Sequence, residues 1–172
     1  MASRLLAGKL PEQPAAREIQ GAVDEAIDQL RMMVEALSPS PQSVPSLLGA
    51  VRYRLMPRLA AMGIAMRWDV DETLQARELN PRDALNVQRI VQEALTNILK
   101  HAEATEIRVS IQPTDGWLRV RIEDDGVGLG DAGRPPGKGL DNMRRRAQEC
   151  RGRLEIAPLA RGARLDLLLP NV

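Results

Sequence analysis

The stretch Asn80–Ala102, NPRDALNVQRIVQEALTNILKHA, constrains the fold more than any other part of the chain. Asn followed by Pro predicts a helix start, because Asn80 can cap free amides and Pro81 suits the first helical position. Ala84, Val87, Ile90, Val91, Ala94, Leu95, Ile98 and Leu99 then recur at spacings of three and four. At about 100° per residue they make a broad apolar face, which predicts a mostly buried helix. The remaining arc carries Arg89, Glu93, Thr96, Asn97 and Lys100. Glu93 and Asn97 lie four apart and therefore side by side. A carboxylate beside a carboxamide offers oxygen ligands to a hard cation such as magnesium. Taken alone, the same arc is what any solvated helix face presents.

The core around that helix has to be aliphatic, since the 172 residues hold no Phe, two Trp and one Tyr. This length suffices for one well-buried domain with some chain left over. Lys plus Arg is 24 against 23 for Asp plus Glu, a formal net charge of +1, which argues against a dedicated nucleic-acid binder. One Cys and one His cannot build an internal disulfide or a zinc site. Cys150 reads as a small thiol in a reducing compartment. No apolar run approaches the roughly 18 residues of a membrane span. The opening MASRLLAGKL is interrupted by Lys9 and does not read as a signal peptide. A cytoplasmic location without membrane contact is expected, compatible with a larger parent anchored elsewhere.

Residues 1–14 read as a leader. Over 15–38 a narrow stripe of Ile19, Val23, Ile27, Leu30, Val34 and Leu37 predicts a helix suited to a bundle or homodimer seam. Ser38-Pro39-Ser40-Pro41 ends it and marks a boundary, so 42–172 is expected as the main domain. Within that domain a helix is predicted from Pro45 to Met62, closed by Gly63, then a strand from Ile64 to Val70 and a polar connector up to Asn80. Ile107–Gln112 and Trp117–Glu123 alternate and are joined through Asp115-Gly116, a hairpin pattern. A glycine-rich segment, Gly126–Gly139, reads as a lid. Leu140–Cys150 is predicted helical, with Met143 and Ala147 in the core, and Arg153–Ala157 and Ala163–Leu169 as strands. The fold class is α+β, a two-layer sandwich with helices on one face of a mixed sheet.

Three features carry chemistry when taken in order. The pair Glu93 and Asn97 comes first. Asp124-Asp125-Gly126-Val127-Gly128 follows a strand, and Gly137-Lys138-Gly139-Leu140 opens a helix. Glycines at a strand end let backbone pass close to a ligand. An Asp beside them can accept a hydrogen bond from an exocyclic amino group such as that of adenine. A glycine-rich turn opening a helix offers amides and the positive end of the helix dipole to phosphates. Neither the P-loop nor the dinucleotide spacing is present.

This arrangement resembles the ATP-binding domain shared by gyrase, heat-shock chaperones, histidine kinases and mismatch-repair proteins, with its Bergerat-type fold. Within that superfamily it is most similar to sensor histidine kinases of the nitrate-sensor type. IVQEALTNILKHA resembles their N box, and DDGVG the first glycine box. GKGLDNMRRRAQECRGRLEI resembles the second glycine box with its helix, and RGARLDLLLP the last strand. DEAIDQLRMMVEALSP is similar to the second helix of the dimerisation hairpin. The resemblance implies ATP and Mg2+ as cofactors. It implies that Asp124 accepts from the adenine amino group, with Gly126 and Gly128 giving the base room. Asn97 would hold magnesium, and Glu93 would assist the metal or polarise the attacking group. Lys100 and His101 would stand near the phosphates, Gly137 and Gly139 would let the lid fold over them, and the Leu140 amide would face them.

Two departures from the family pattern stand out. Gly162-Ala163 replaces the usual glycine-threonine, removing a hydroxyl near the base. No histidine precedes Ala15, and the single His101 lies inside the N box, so the phosphoacceptor histidine is expected on a helix in a parent protein or supplied in trans. The resemblance therefore implies a protein histidine kinase catalytic part lacking its acceptor, with a response regulator downstream. Rival readings are an anti-sigma-factor-type serine kinase and an inactive interaction module of the same fold. The basic run Arg144, Arg145, Arg146, Arg151 and Arg153 reads as structural or phosphate-facing rather than as a nucleic-acid patch.

Overall fold

The computed structural model describes residues 42–70, 74, 78–128 and 138–171. The expected leader, the expected dimerisation helix and most of the Gly126–Gly139 segment, Gly137 included, lie outside the described residues. The chain divides into two units, Met1–Ser38 and Pro39–Val172, and everything described belongs to the second.

A two-residue strand, β1 (Gln42–Ser43), leads into α1 (Val44–Ala61). Ser43 caps this helix by accepting from the Ser46 amide at 3.4 Å, with Pro45 in the first turn. Leu47, Leu48, Val51 and Leu59 are its buried stripe, and Gly63, with φ of 69°, ends it. Strand β2 (Ala65–Val70) follows. The polar connector after it contains a short strand, β3 (Glu78–Leu79), which pairs antiparallel with β1. A two-residue ladder has no periodicity to detect, so the sequence reads there as plain connector.

Helix α2 (Pro81–His101) is the predicted central helix, within one residue of its expected end. The Asn80 side chain accepts from the Asp83 amide at 2.9 Å and donates to the Asp83 carboxylate at 2.9 Å, so cap and first turn hold each other. Val87, Ile90, Val91 and Leu95 are almost wholly buried. Burying each such side chain contributes about 1.5–3 kcal/mol, which explains why this helix is the spine of the domain. The chain leaves it through Glu103 at a φ of 50°.

Strands β4 (Glu106–Thr114) and β5 (Trp117–Asp124) form the predicted hairpin. Its turn, Asp115-Gly116, has φ of 45° and 80°, the positive pair that suits strand twist. Helix α3 (Lys138–Glu149) starts two residues before the predicted Leu140 and takes Gly139 into its first turn. Glycine propensity argues for a later start, but contact with α2 overrides it. Met143 and Ala147 are buried as expected. Cys150 is a buried free thiol, pushed up to about 12 by burial and hence inert as a nucleophile. Strands β6 (Arg153–Pro158) and β7 (Ala163–Pro170) complete the sheet.

The five-stranded sheet runs β2-β4-β5-β7-β6, with β2 parallel to β4 and every other pair antiparallel. Leu118, Val120, Ile122, Leu165, Leu167 and Leu169 point into one apolar cluster with the helices. The other face is charged: Arg121 donates twice to Asp166, at 2.7 and 3.1 Å. This is the predicted α+β sandwich, helices against a mixed sheet.

Candidate nucleotide cleft

Strand alternation decides where Asp124 points. Leu118, Val120, Ile122 and Asp124 are the buried members of β5, so the acid occupies the place where parity calls for an apolar side chain. It is 7 % exposed and turns into the space between sheet and helices. Its Oδ1 accepts from the Gly126 amide at 2.9 Å, while Oδ2 accepts from no described residue.

Three ties bring the end of β5 onto the end of α2 and the chain that leads from it into β4. The Val127 amide donates to the Ala102 carbonyl at 2.8 Å. Gly126 lies so close to that carbonyl that a Cβ at 126 would fall on its oxygen, which is the physical need for glycine here. Asp125 accepts from the Thr105 amide at 2.8 Å, the Thr105 hydroxyl at 2.6 Å and the Glu106 amide at 2.8 Å. These bonds, led by the Thr105 hydroxyl, hold the Asp125 carboxyl at about 2, below the usual carboxylate range. A depressed folded value means that the Asp125 contribution is complete above the unfolded value near pH 4 and is lost as pH falls towards 2. We expect the urea midpoint of the wild type to fall more steeply between pH 4 and 2 than that of Asp125→Asn. Parallel pH profiles would show that the strap adds no acid-sensitive stability.

The space so framed is a cleft of about 220 Å3. Asn97, Ile98 and His101 line it from α2, Asp124 and Gly128 from the end of β5, and Met143 from α3. Ile156 and Leu165 give it an apolar floor on the sheet, next to Arg164. A flat apolar slot with one inward acid suits a planar base bearing an amino group. A larger hollow of about 650 Å3 between α1 and β2 is chemically poorer. Its Arg52 is stacked on Trp68, 5.3 Å from the ring centroid, and Ser43 and Ser46 bond each other.

The cleft unites Asn97, His101, Asp124 and Gly128, all named from the sequence. Glu93 stands one turn from Asn97, outside the lining, with its carboxylate against Gly139 in the first turn of α3. Gly139 is thus a contact for Glu93, not part of the preceding loop. Leu140 is partly buried against the core in that same turn. Lys100 is exposed and off the lining. Sequence reasoning missed the roles of Asp125 and Gly162. A Cβ at Gly162 would fall on the Asp124 carbonyl oxygen and lie 2.8 Å from Asp124 Oδ1. Gly162 has a φ of 81°, and no local pattern marks it because its neighbour is 38 residues away in sequence.

For magnesium the donor set decides. Among the described residues no cluster of three or more His, Cys, Asp or Glu could hold a metal alone. Magnesium bound with a nucleotide needs only one or two protein oxygens and takes the rest from phosphates and water. Asn97 and Glu93, four apart and partly buried, fit that limited role.

A family match, to the histidine kinase-, DNA gyrase B- and HSP90-like ATPases, covers residues 82–172, just over half of the chain. The signal transduction histidine-protein kinase/phosphatase UhpB of Salmonella typhimurium is 33% identical over 147 residues, 84% of this chain and 28% of that one. The nitrate/nitrite sensor protein NarQ of Escherichia coli is 30% identical over 170 residues, 94% of this chain and 29% of that one. The chain therefore spans less than a third of these relatives. Among solved structures, the histidine kinase AdeS of Acinetobacter baumannii shares the fold with a TM-score of 0.67 at 14% identity, covering 94% of this chain and 86% of that one. With Asp124 and Asn97 facing one cleft, the chain belongs to the histidine kinase-, DNA gyrase B- and HSP90-like ATPase family, and within it to the ATP-binding domains of nitrate-sensor-type sensor histidine kinases.

Proposed function

We propose that this domain binds ATP with Mg2+ and donates the γ-phosphate to a histidine on a helix of the parent protein or a partner chain, for relay to a response regulator. The observation that carries the reading is the convergence of Asp124, turned inward by strand parity, and Asn97, from the buried helix, on one apolar cleft. Asp124 Oδ2 accepts from the adenine amino group, while Ile156 and Leu165 take the face of the base. Asn97 holds the metal-bound phosphates at the mouth, with His101 beside them. The first-turn amides of α3, at Gly139 and Leu140, face the terminal phosphate with the helix dipole behind them.

In the transfer step the acceptor imidazole nitrogen attacks the γ-phosphorus as the bond to the bridging oxygen breaks, and ADP leaves with that electron pair. Magnesium supplies charge neutralisation across the phosphates. Glu93, one turn from Asn97, is placed to polarise the attacking imidazole. The chain's one histidine, His101, lines the nucleotide cleft, which fits an acceptor outside these residues. Phosphoryl transfer rests on positioning and electrostatics, which suits a site with few reactive side chains. A cytoplasmic setting, where ATP is available, and self-association through residues 15–38 belong to the same reading.

Calorimetric titration of ATP with and without magnesium tests it. We expect Asn97→Ala to flatten the magnesium dependence of triphosphate binding, with a loss of about tenfold in affinity at saturating metal. A metal titration identical to that of the wild type would remove Asn97 from the metal's surroundings.

A further inference from the structure

Helices α2 and α3 run antiparallel, and their contacts set a register. Glu93 meets Gly139, the Asn86 side-chain amide donates to Glu149 Oε2 at 3.1 Å, and Cys150 Sγ lies 3.7 Å from the Asp83 carbonyl oxygen. Arg89 falls midway along α2, opposite the turn of α3 that contains Arg146. One turn of each helix separates this level from its neighbours, so Arg89 is the next residue on the face that presents Glu93. Arg146 lies near enough to both Arg89 and Glu93 for their charges to act on its guanidinium.

Both guanidinium groups are partly buried, and among the described residues neither makes an ion pair with a carboxylate. Arg145, by contrast, is engaged with Glu149 at 2.7 Å. The Arg146 guanidinium is held below its ordinary value, first by burial and then by the neighbouring charges of Arg89 and Arg145, with Glu149 and then Glu93 acting the other way. Two like charges crowded at a helix seam work against folding. A dianionic group seated between them would relieve that repulsion and accept from both forks.

We infer that Arg89 and Arg146 form the receptor for the terminal phosphate of the nucleotide, gripping the phosphoryl group on the side of Glu93 away from Asn97. This rests on the nucleotide reading of the cleft and adds to it the groups that tell a triphosphate from a diphosphate. Asn97 would hold the metal, which would supply charge neutralisation at the phosphates, and the arginine pair stabilises charge on the transferring group.

The test is calorimetry on the 172-residue chain with magnesium, titrating ADP and the non-hydrolysable analogue AMPPNP in parallel. In the Arg89→Gln/Arg146→Gln variant the ADP affinity stays within about twofold, while the AMPPNP affinity falls about tenfold or more. Arg146→Lys, which keeps the charge and loses the fork, falls between wild type and Arg146→Gln. If the double variant melts early, the single Arg146→Gln decides, with an expected loss of about threefold or more for AMPPNP alone. An unchanged ratio of AMPPNP to ADP affinity overturns the inference, as does equal weakening of both. A wild type that binds ADP but shows no such ratio change in the variants leaves the cleft reading standing; one that binds neither nucleotide removes both.

Discussion

Asp124→Asn is expected to lower adenine-nucleotide affinity about 10- to 100-fold while the empty domain keeps its fold, because under the proposed binding mode the substitution reverses one hydrogen bond at the base. The direction follows from Gly126. Its amide donates to Oδ1 of Asp124 at 2.9 Å, so an Asn at 124 must keep its carbonyl oxygen there. The Asn amino group then takes the place of Oδ2 and points a donor at the donor of the base. A buried acid that becomes a neutral amide relieves desolvation, so the melting temperature without nucleotide should stay within a few degrees. Nucleotide-induced stabilisation, which grows with the logarithm of concentration over Kd, should shrink. Isothermal titration with ATP and ADP checks this, and equal affinities for variant and wild type would place the base elsewhere.

Gly162→Ala should be the most damaging single methyl in the domain. The position has a φ of 81°, where an L side chain costs about 1–2 kcal/mol, and the new Cβ falls on the Asp124 backbone carbonyl. Relief requires β7 to move against β5 beside the Glu123–Arg164 pairing. Backbone shifts of that kind add about 1–3 kcal/mol, for a total near 3 kcal/mol and a fall in melting temperature of roughly 10 °C. Asp124 moves with its carbonyl, so nucleotide binding should weaken too. Gly63→Ala is the control: its φ is 69°, but nothing stands within 4 Å of the added Cβ. It should show the conformational cost alone, about 1–2 kcal/mol. Thermal melts of both variants separate the two contributions, and equal shifts would mean that the β6–β7 turn yields without cost.

Much of this was legible along the chain. The apolar spacing of Asn80–Ala102, the alternation of β4 and β5 and the Asp-Gly turn are local patterns, and each folded as its period demands. The inward acid could be read by parity, since Leu118, Val120 and Ile122 predict that 124 faces the same way. Contacts that join distant segments were not legible. The two-residue pairing of β1 with β3 has no period, and the approach of the Glu93 carboxylate to Gly139 in the first turn of α3 joins two helices far apart in sequence. Asp125 resembles a turn residue until Thr105 is beside it. Gly162 owes its identity to the Asp124 carbonyl, a relation invisible until the sheet is assembled.

The fastening of the end of β5 to the end of α2 through Val127 and Gly126, and to the start of β4 through Asp125, has a consequence for nucleotide exchange in the proposed site. The wall that carries the acid and the wall that carries the amide are joined by the protein's own backbone, so their spacing does not depend on an occupant. Release of spent product then leaves the receptor already shaped for the next molecule, and little ordering free energy is drawn from each binding event. Exchange can then be quick without loss of selectivity, which would suit the proposed kinase role, where the site reloads after every transfer.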